Sequence, residues 1–193
     1  MNKFLLELPT RIETTRLYLR PYQPGDGPLY FAVSQRNRAH LATYEAQNVL
    51  MGITTEESAE IVVRELAAEW VARTSFFLGA FGRRTDEWVA QVYVGPANWE
   101  LPEFELGYIV DQAREGQGYA AEAVRAALRF VFEQLQAHRV HVRCDATNVR
   151  SARLAERCSF RLEGRFRENK VNAAGEYSDT LHFGLLRHEF ISE

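Results

Sequence analysis

Apolar and polar positions recur with clear local periods along most of this chain. In TTRLYLRPY, Leu17 and Leu19 alternate with Tyr18 and Arg20, the two-residue period of a short strand. QPGDGP behind it is a turn cluster. Val62, Val63, Leu66, Ala67 and Trp70 share one helical face, with Thr54 or Thr55 placed to cap it. SFFLGAFG and EWVAQVYVG read as strands joined by the turn RRTD, and EFELGYIV as the next strand. After Gly118 a long helix carries Val124, Leu128, Val131, Phe132 and Leu135 on one stripe and Glu122, Arg125, Arg129 and Glu133 on the other. RVHVRCD is a strand, and NVRSARLAERC a helix capped by Thr147 or Asn148. FRLEGRFRE and YSDTLHFGLL close the chain as strands around NAAGE. Antiparallel strands, one strand–helix–strand crossover, then a helix and a hairpin predict an α+β fold. Its sheet is mixed, with a single parallel pair in the middle.

Composition narrows the classes without changing that picture. The chain has 193 residues, no internal repeat and no linker-like tract, so one domain over 1–193 is expected. A hydrophobic fraction of 46% with 25% charged residues is globular rather than disordered. A net charge of -3 gives no bulk attraction to nucleic acid. Cys144 and Cys158 suit a reducing compartment and read as small apolar fillers, not nucleophiles. The histidines show no zinc-ligand spacing, so no metal is expected. Met1 to Arg16 lacks the apolar core of a signal peptide, and no run is long enough to span a bilayer. A cytoplasmic protein with no membrane partner is the expectation, with a homodimer left open.

The stretch from Glu105 to Phe132 carries the chemistry. Its strand leads into Gly116-Gln117-Gly118 at the mouth of the long helix. Helix N-termini expose about four unbonded N–H groups and roughly half a positive charge, and glycines let that backbone approach an anion. A chain reversal that happens to precede a helix is the plainer reading of the same residues. A third reading is the dinucleotide fingerprint: Gly116-x-Gly118-x-x-Ala121 fits its spacing, and Asp145 ends the next strand where a ribose-binding acid would stand. DQARE, however, separates the first glycine from the strand, and too few strand–helix units follow for a nicotinamide-binding fold.

The order of motifs is more specific than the glycines alone. ELGYIV, then EGQGYAAEAV, then DATNVRSARLAERCSF resembles the cofactor-binding region of the GNAT superfamily of N-acetyltransferases. The nearest likeness is to its ribosomal-protein N-terminal acetyltransferase branch, the RimJ/RimL type. The resemblance runs from IETTRLYLRP to the closing strand at Asp179 to Phe190. It implies the GNAT fold, acetyl-CoA as co-substrate, and direct acetyl transfer to an amine without a covalent enzyme intermediate. By resemblance, Gly116, Gln117, Gly118, Tyr119 and Ala120 would hold the pyrophosphate, and the backbone of Gly107, Tyr108, Ile109 and Val110 the pantetheine amides. Two positions depart from the pattern. Glu115 stands where Gln or Arg is usual, with Arg114 one residue early as a substitute and Glu115 expected to face solvent. Ser159 stands where the helix usually exits through glycine.

Acetyl transfer needs a held cofactor, an amine that loses a proton, and a stabilised leaving thiolate. Glu105 shares strand parity with Gly107 and Ile109, and an acid inside an apolar strand is unusual unless it is paired or used. Glu105 is therefore the candidate base, against the reading of an acid at an exposed strand start or one paired with arginine. Glu103, of the same parity, is its substitute. Ser151, in the first turn of a helix capped by Asn148, is the candidate thiolate partner, against ordinary helix-start chemistry. Tyr108 has core parity. An α-amino group, with a pKa of about 7.7–8.0, loses its proton to a modest base far more readily than a lysine at about 10.4. Glu100, Glu103 and Glu105 could draw a cationic amine, though a solvated acidic loop explains Glu100 equally well. The acceptor is expected to be a peptide N-terminus or a small-molecule amine. A non-catalytic acyl-CoA-binding module on the same fold is the alternative.

Overall fold

The computed structural model describes residues 2–46 and 48–191. Its centre is an eight-stranded sheet in the order β1-β2-β3-β4-β5-β6-β8-β7. The strands are β1 (Ile12–Glu13), β2 (Leu17–Pro21), β3 (Phe76–Gly82), β4 (Trp88–Asn98), β5 (Glu103–Val110), β6 (Arg139–Asp145), β7 (Arg161–Val171) and β8 (Tyr177–Leu186). Every neighbouring pair is antiparallel except β5 and β6. The helices are α1 (Gly27–Leu41), α2 (Glu56–Ala72), α3 (Tyr119–Arg129) and α4 (Val149–Arg157).

The sheet separates two apolar layers. On one face α3 and α4 pack over Leu17, Leu78, Val92, Leu106, Val140 and Val142. On the other, α1 and α2 pack over Tyr18, Phe81, Trp88 and Ile109. The α3 stripe is buried as its period requires: Val124, Leu128, Val131, Phe132 and Leu135 are all shielded from solvent. At roughly 1.5–3 kcal/mol for each large side chain, that face rather than intrinsic propensity holds the helix. Its last turn widens into a π-helical turn, Phe130–Gln134. Thr55 caps α2 by accepting from the Ser58 N–H, and the Ser58 hydroxyl oxygen accepts from the Thr55 N–H in return.

α1 is the element that hydrophobic periodicity does not announce, because its inward face is partly polar. Ser34 and Asn37 are buried among Tyr30, Val33 and Leu41. Each has local work: the Ser34 hydroxyl donates to the Leu50 carbonyl, and the Asn37 side chain donates to the Val33 carbonyl and accepts from the Gln112 N–H. A helix that buries hydrogen-bonded polar groups loses the apolar stripe by which a sequence reveals it.

The sheet parts in the middle. β5 and β6 are paired only through Glu103↔Arg139, Phe104↔Val140 and Glu105↔His141. Beyond that register β5 stays paired to β4 as far as Val110, and β6 to β8 as far as Asp145. From Leu106 onward, the side of β5 that turns away from β4 has no strand beside it.

Candidate active site

The parting strands open a cavity of about 540 Å³ that reaches both faces of the sheet. Leu106, Tyr108, Val142 and Ser151 line it on the α3/α4 side. Glu105, Gly107, Phe77, Gln91 and Tyr93 line it on the α1/α2 side, with Glu69 at the end of α2 and Glu45 in the loop after α1.

On the α3 side the site is made of backbone. Gly116 and Gly118 both adopt left-handed conformations, φ +72° and +80°, which glycine takes without strain. α3 starts on Gly118 without a side-chain cap. Among the described residues, the N–H groups of Gly116, Gln117, Gly118, Tyr119, Ala120 and Ala121 donate to no acceptor; the first helical bond runs from the Glu122 N–H to the Gly118 carbonyl. A cradle of free N–H groups at a helix N-terminus, with open space where a Gly116 Cβ would stand, fits a pyrophosphate. Arg16 supports it: its guanidinium donates to the Gln117 carbonyl, pairs with Glu122 at 2.7 Å and lies over the Tyr119 ring. The Glu122 carboxylate also accepts from the Thr14 hydroxyl and the Arg16 N–H, so it ties α3 to the β1–β2 turn. Burial opposes that charge, but the Thr14 and Arg16 donors outweigh it and hold the Glu122 carboxyl below its ordinary range.

Two loop residues have partners that their sequence context does not reveal. Arg114 pairs with Glu87 of the β3–β4 turn. Glu115 was expected to face solvent, yet it is clamped between His40 of α1, at 3.0 Å, and Arg150 of α4, at 2.5 Å. Helices distant in sequence converge on this loop, and they hold the one acid beside the cradle in an ion pair directed away from a free, repelling position. α1 anchors the preceding turn as well, through Arg36 to Asp111 and Asn37 to Gln112.

At the α4 end, Asn148 is the N-cap and accepts from the Ser151 N–H. The Ser151 hydroxyl lies 3.0 Å from the Tyr108 hydroxyl, which also donates to the Ser151 carbonyl. Tyr108 therefore packs its ring against the core, as its parity suggests, but delivers its phenol to the cavity. Burial pushes that phenol well up, so it keeps its proton. Asp145 is occupied: the Thr147 hydroxyl and N–H, the Ser178 hydroxyl and Lys170 all reach its carboxylate. Burial opposes the charge, but these donors hold the carboxyl well below the usual range.

On the opposite face the site is made of side chains. Glu105 shares its face with Gly107, and both of its oxygens contact the Arg143 guanidinium, at 2.7 to 2.9 Å. His141 lies between the two candidate acids, 3.3 Å from Glu103 and 3.9 Å from Glu105. Glu103 also meets Arg139. The Tyr93 ring stands beside Gly107, 3.5 Å from where a Cβ would be, an ordinary contact distance. Burial and the nearby Glu105 and Glu69 carboxylates raise the Tyr93 phenol. Glu69 accepts from the Ser75 hydroxyl. Glu45 opens on the cavity yet is crowded by protein, and that crowding pushes its carboxyl up. Sequence reasoning missed Arg143, Tyr93, Gln91, Glu69 and Glu45. Arg143 alone left a trace, as a polar position alternating with Val140 and Val142 in RVHVRCD.

Among the described residues no cluster of metal-ligating side chains occurs, and no helix is long and apolar enough to cross a membrane. Comparison with known proteins places the geometry. A family profile described as an acetyltransferase (GNAT) domain matches residues 16–161. The chain is 28% identical over 87 residues to the uncharacterized N-acetyltransferase YnaD of Bacillus subtilis (strain 168), covering 45% of this chain and 51% of that protein. It is 29% identical over 108 residues to the uncharacterized N-acetyltransferase p20 of Bacillus licheniformis, covering 56% and 60%. The matched stretches thus span about half of these curated relatives. Among solved structures, the ribosomal-protein-S5-alanine acetyltransferase from Vibrio fischeri superposes with a TM-score of 0.82 at 18% identity, over 93% of this chain and 97% of that one. RimL, a ribosomal L7/L12 α-N-protein acetyltransferase solved with coenzyme A, gives 0.80 at 20% identity over 91% and 97%. Both likenesses are of fold.

Proposed function

The chain belongs to the GNAT acetyltransferase family, and from that premise we propose that it moves acetyl from acetyl-CoA directly to a primary amine. The proposed acceptor is a protein or peptide N-terminal α-amino group, ahead of a small-molecule amine. The observation that carries this reading is the cavity through the parted sheet, with a backbone anion cradle serving one face and carboxylates the other.

The roles follow from position. The free N–H groups from Gly116 to Ala121 bind the pyrophosphate, with Arg16 beside them. The unpaired side of β5 from Gly107 to Val110 bonds the pantetheine amides. Bound there, acetyl-CoA supplies the activated acyl group. Glu105 takes the proton of the acceptor ammonium, directly or through one water, while Arg143 fixes the orientation of its carboxylate. The Ser151 hydroxyl, held beside that of Tyr108, presents a donor on the opposite side of the strand gap, where the thiolate departs. The carboxylates of Glu45 and Glu69 favour a cationic acceptor, and an α-amino group is the cation a modest base deprotonates near neutral pH.

A second reading, a non-catalytic acyl-CoA-binding module, has one observation on its side: Arg143 engages both oxygens of Glu105. A turnover screen of peptides and small amines with acetyl-CoA, read by product mass, separates the two. One added acetyl on a peptide N-terminus is expected. Tight acetyl-CoA binding with no acetylated product from any amine overturns the catalytic reading.

A further inference from the structure

Gln91 is a buried polar residue with half of its hydrogen-bonding capacity unused. It is 3% exposed, sits in the middle of β4 and lines the cavity. Its carbonyl oxygen accepts from the hydroxyl of Tyr30, a fully buried residue of α1, at 2.9 Å. Among the described residues its amide nitrogen has no hydrogen-bond partner. That nitrogen opens on the cavity, where water reaches it, and a bound acceptor oxygen can take the water's place.

Its surroundings define what that ligand must be. Gln91 lies opposite Ile109, and Tyr93, two residues along β4, lies opposite Gly107. Gln91 therefore stands about 7 Å along the sheet from the Tyr93–Gly107 position, where the acceptor nitrogen meets the strand gap. At that position the Phe77 and Tyr93 rings stand side by side, with centroids 4.8 Å apart. The Glu105 and Glu69 carboxylates, which raise the Tyr93 phenol, suit the cationic end of the acceptor. An amide N–H suits the opposite kind of group, an oxygen that accepts. A fully protonated polyamine offers only donors and leaves Gln91 unpaired. A peptidyl amine offers the carbonyl of its second residue at about that reach, which an amine without a second residue lacks.

We propose that Gln91 is a specificity-determining residue of the acceptor site, donating its amide N–H to a backbone carbonyl oxygen of the acceptor about 7 Å from the reacting nitrogen, so that the site selects peptidyl amines over polyamines. This rests on the acetyl-acceptor reading above. The test is Gln91→Glu, which keeps an oxygen for the Tyr30 hydroxyl and removes the N–H donor. With the full chain at pH 8, peptide KM rises by about tenfold or more, the size of one lost hydrogen bond plus an opposed oxygen, while kcat and the KM for acetyl-CoA hold. A linear triamine loses nothing. The peptide defect shrinks as pH falls and the introduced carboxyl regains a proton to donate. An unchanged peptide KM in the variant overturns the proposal and leaves Gln91 as a partner of Tyr30 alone; so does equal loss for peptide and triamine. If wild type acetylates no amine, the function reading has failed, and calorimetry of the peptide with both proteins decides the Gln91 assignment separately: equal affinities sink it.

Discussion

The two faces of the parted sheet are built on different principles. The α3 face, where the cofactor is proposed to bind, is made of backbone: two left-handed glycines, a run of free N–H groups and a strand without a neighbour. The α1/α2 face is made of side chains contributed by α2, β4, β5, β6 and the loop after α1. Backbone recognises what all members of a family share, because it presents the same groups whatever the side chains are. Side chains recognise what differs among acceptors. The contrast teaches where change is tolerated: a substitution on the first face acts by disturbing conformation, one on the second by altering chemistry.

The sharpest test of the side-chain face is Glu105→Gln, which keeps shape and removes basicity. General-base contributions are typically about 10²–10⁴-fold, so turnover at neutral pH should fall by at least about a hundredfold with acetyl-CoA affinity unchanged. The deficit should narrow above about pH 8, where the acceptor arrives already deprotonated. A deficit constant across pH would reassign Glu105 to positioning Arg143; no deficit would move the role to Glu103.

The backbone face should break differently. Gly118→Val places a β-branched residue at φ +80°, with its Cβ 3.4 Å from the Arg16 guanidinium. Left-handed strain of about 1–2 kcal/mol translates into roughly tenfold weaker acetyl-CoA binding in calorimetry, the chain remaining folded by circular dichroism. Unchanged affinity in the folded variant would remove the cradle.

Glu122 braces the backbone face, and its effect is on stability. Glu122→Gln removes the charge that holds Thr14 and Arg16, so unfolding at pH 7 should become easier by about 1–2 kcal/mol. The folded pKa of Glu122 is depressed, so its contribution is present above the unfolded value near pH 4.5 and disappears as pH falls through the folded one. Denaturant curves of wild type and variant should therefore converge in acid. A gap that persists there would point to packing rather than charge.

The smallest effect lies outside both faces. Ser159 leaves α4 in the left-handed region at φ +67°, where glycine is unstrained. Ser159→Gly should stabilise the chain by about 0.5–1 kcal/mol without altering turnover. A lower midpoint would show that the serine side chain holds the exit.

The sequence by itself determined the α+β class, the parallel pair, the places of the α2 and α4 caps to within one residue, and the glycine loop at the mouth of α3. Each is a local requirement. A left-handed turn needs glycine, a helix start needs a capping oxygen, and an apolar stripe needs its period, all within a few residues of one another. The glycine face of the site was legible for the same reason. On the opposite face the sequence offered Glu105 and Glu103, and tertiary structure decided the rest. Glu45, Glu69, Gln91 and Arg143 lie far apart along the chain, and nothing local marks the first three. They meet because β5 and β6 part after Glu105, and because the loop after α1, a helix whose buried Ser34 and Asn37 hide its stripe, borders the gap. Tertiary structure also turned Glu115 from a solvent-facing acid into the partner of His40 and Arg150. Backbone geometry is written in nearest neighbours, whereas a constellation of side chains depends on which distant strands the sheet sets side by side and where it lets them separate.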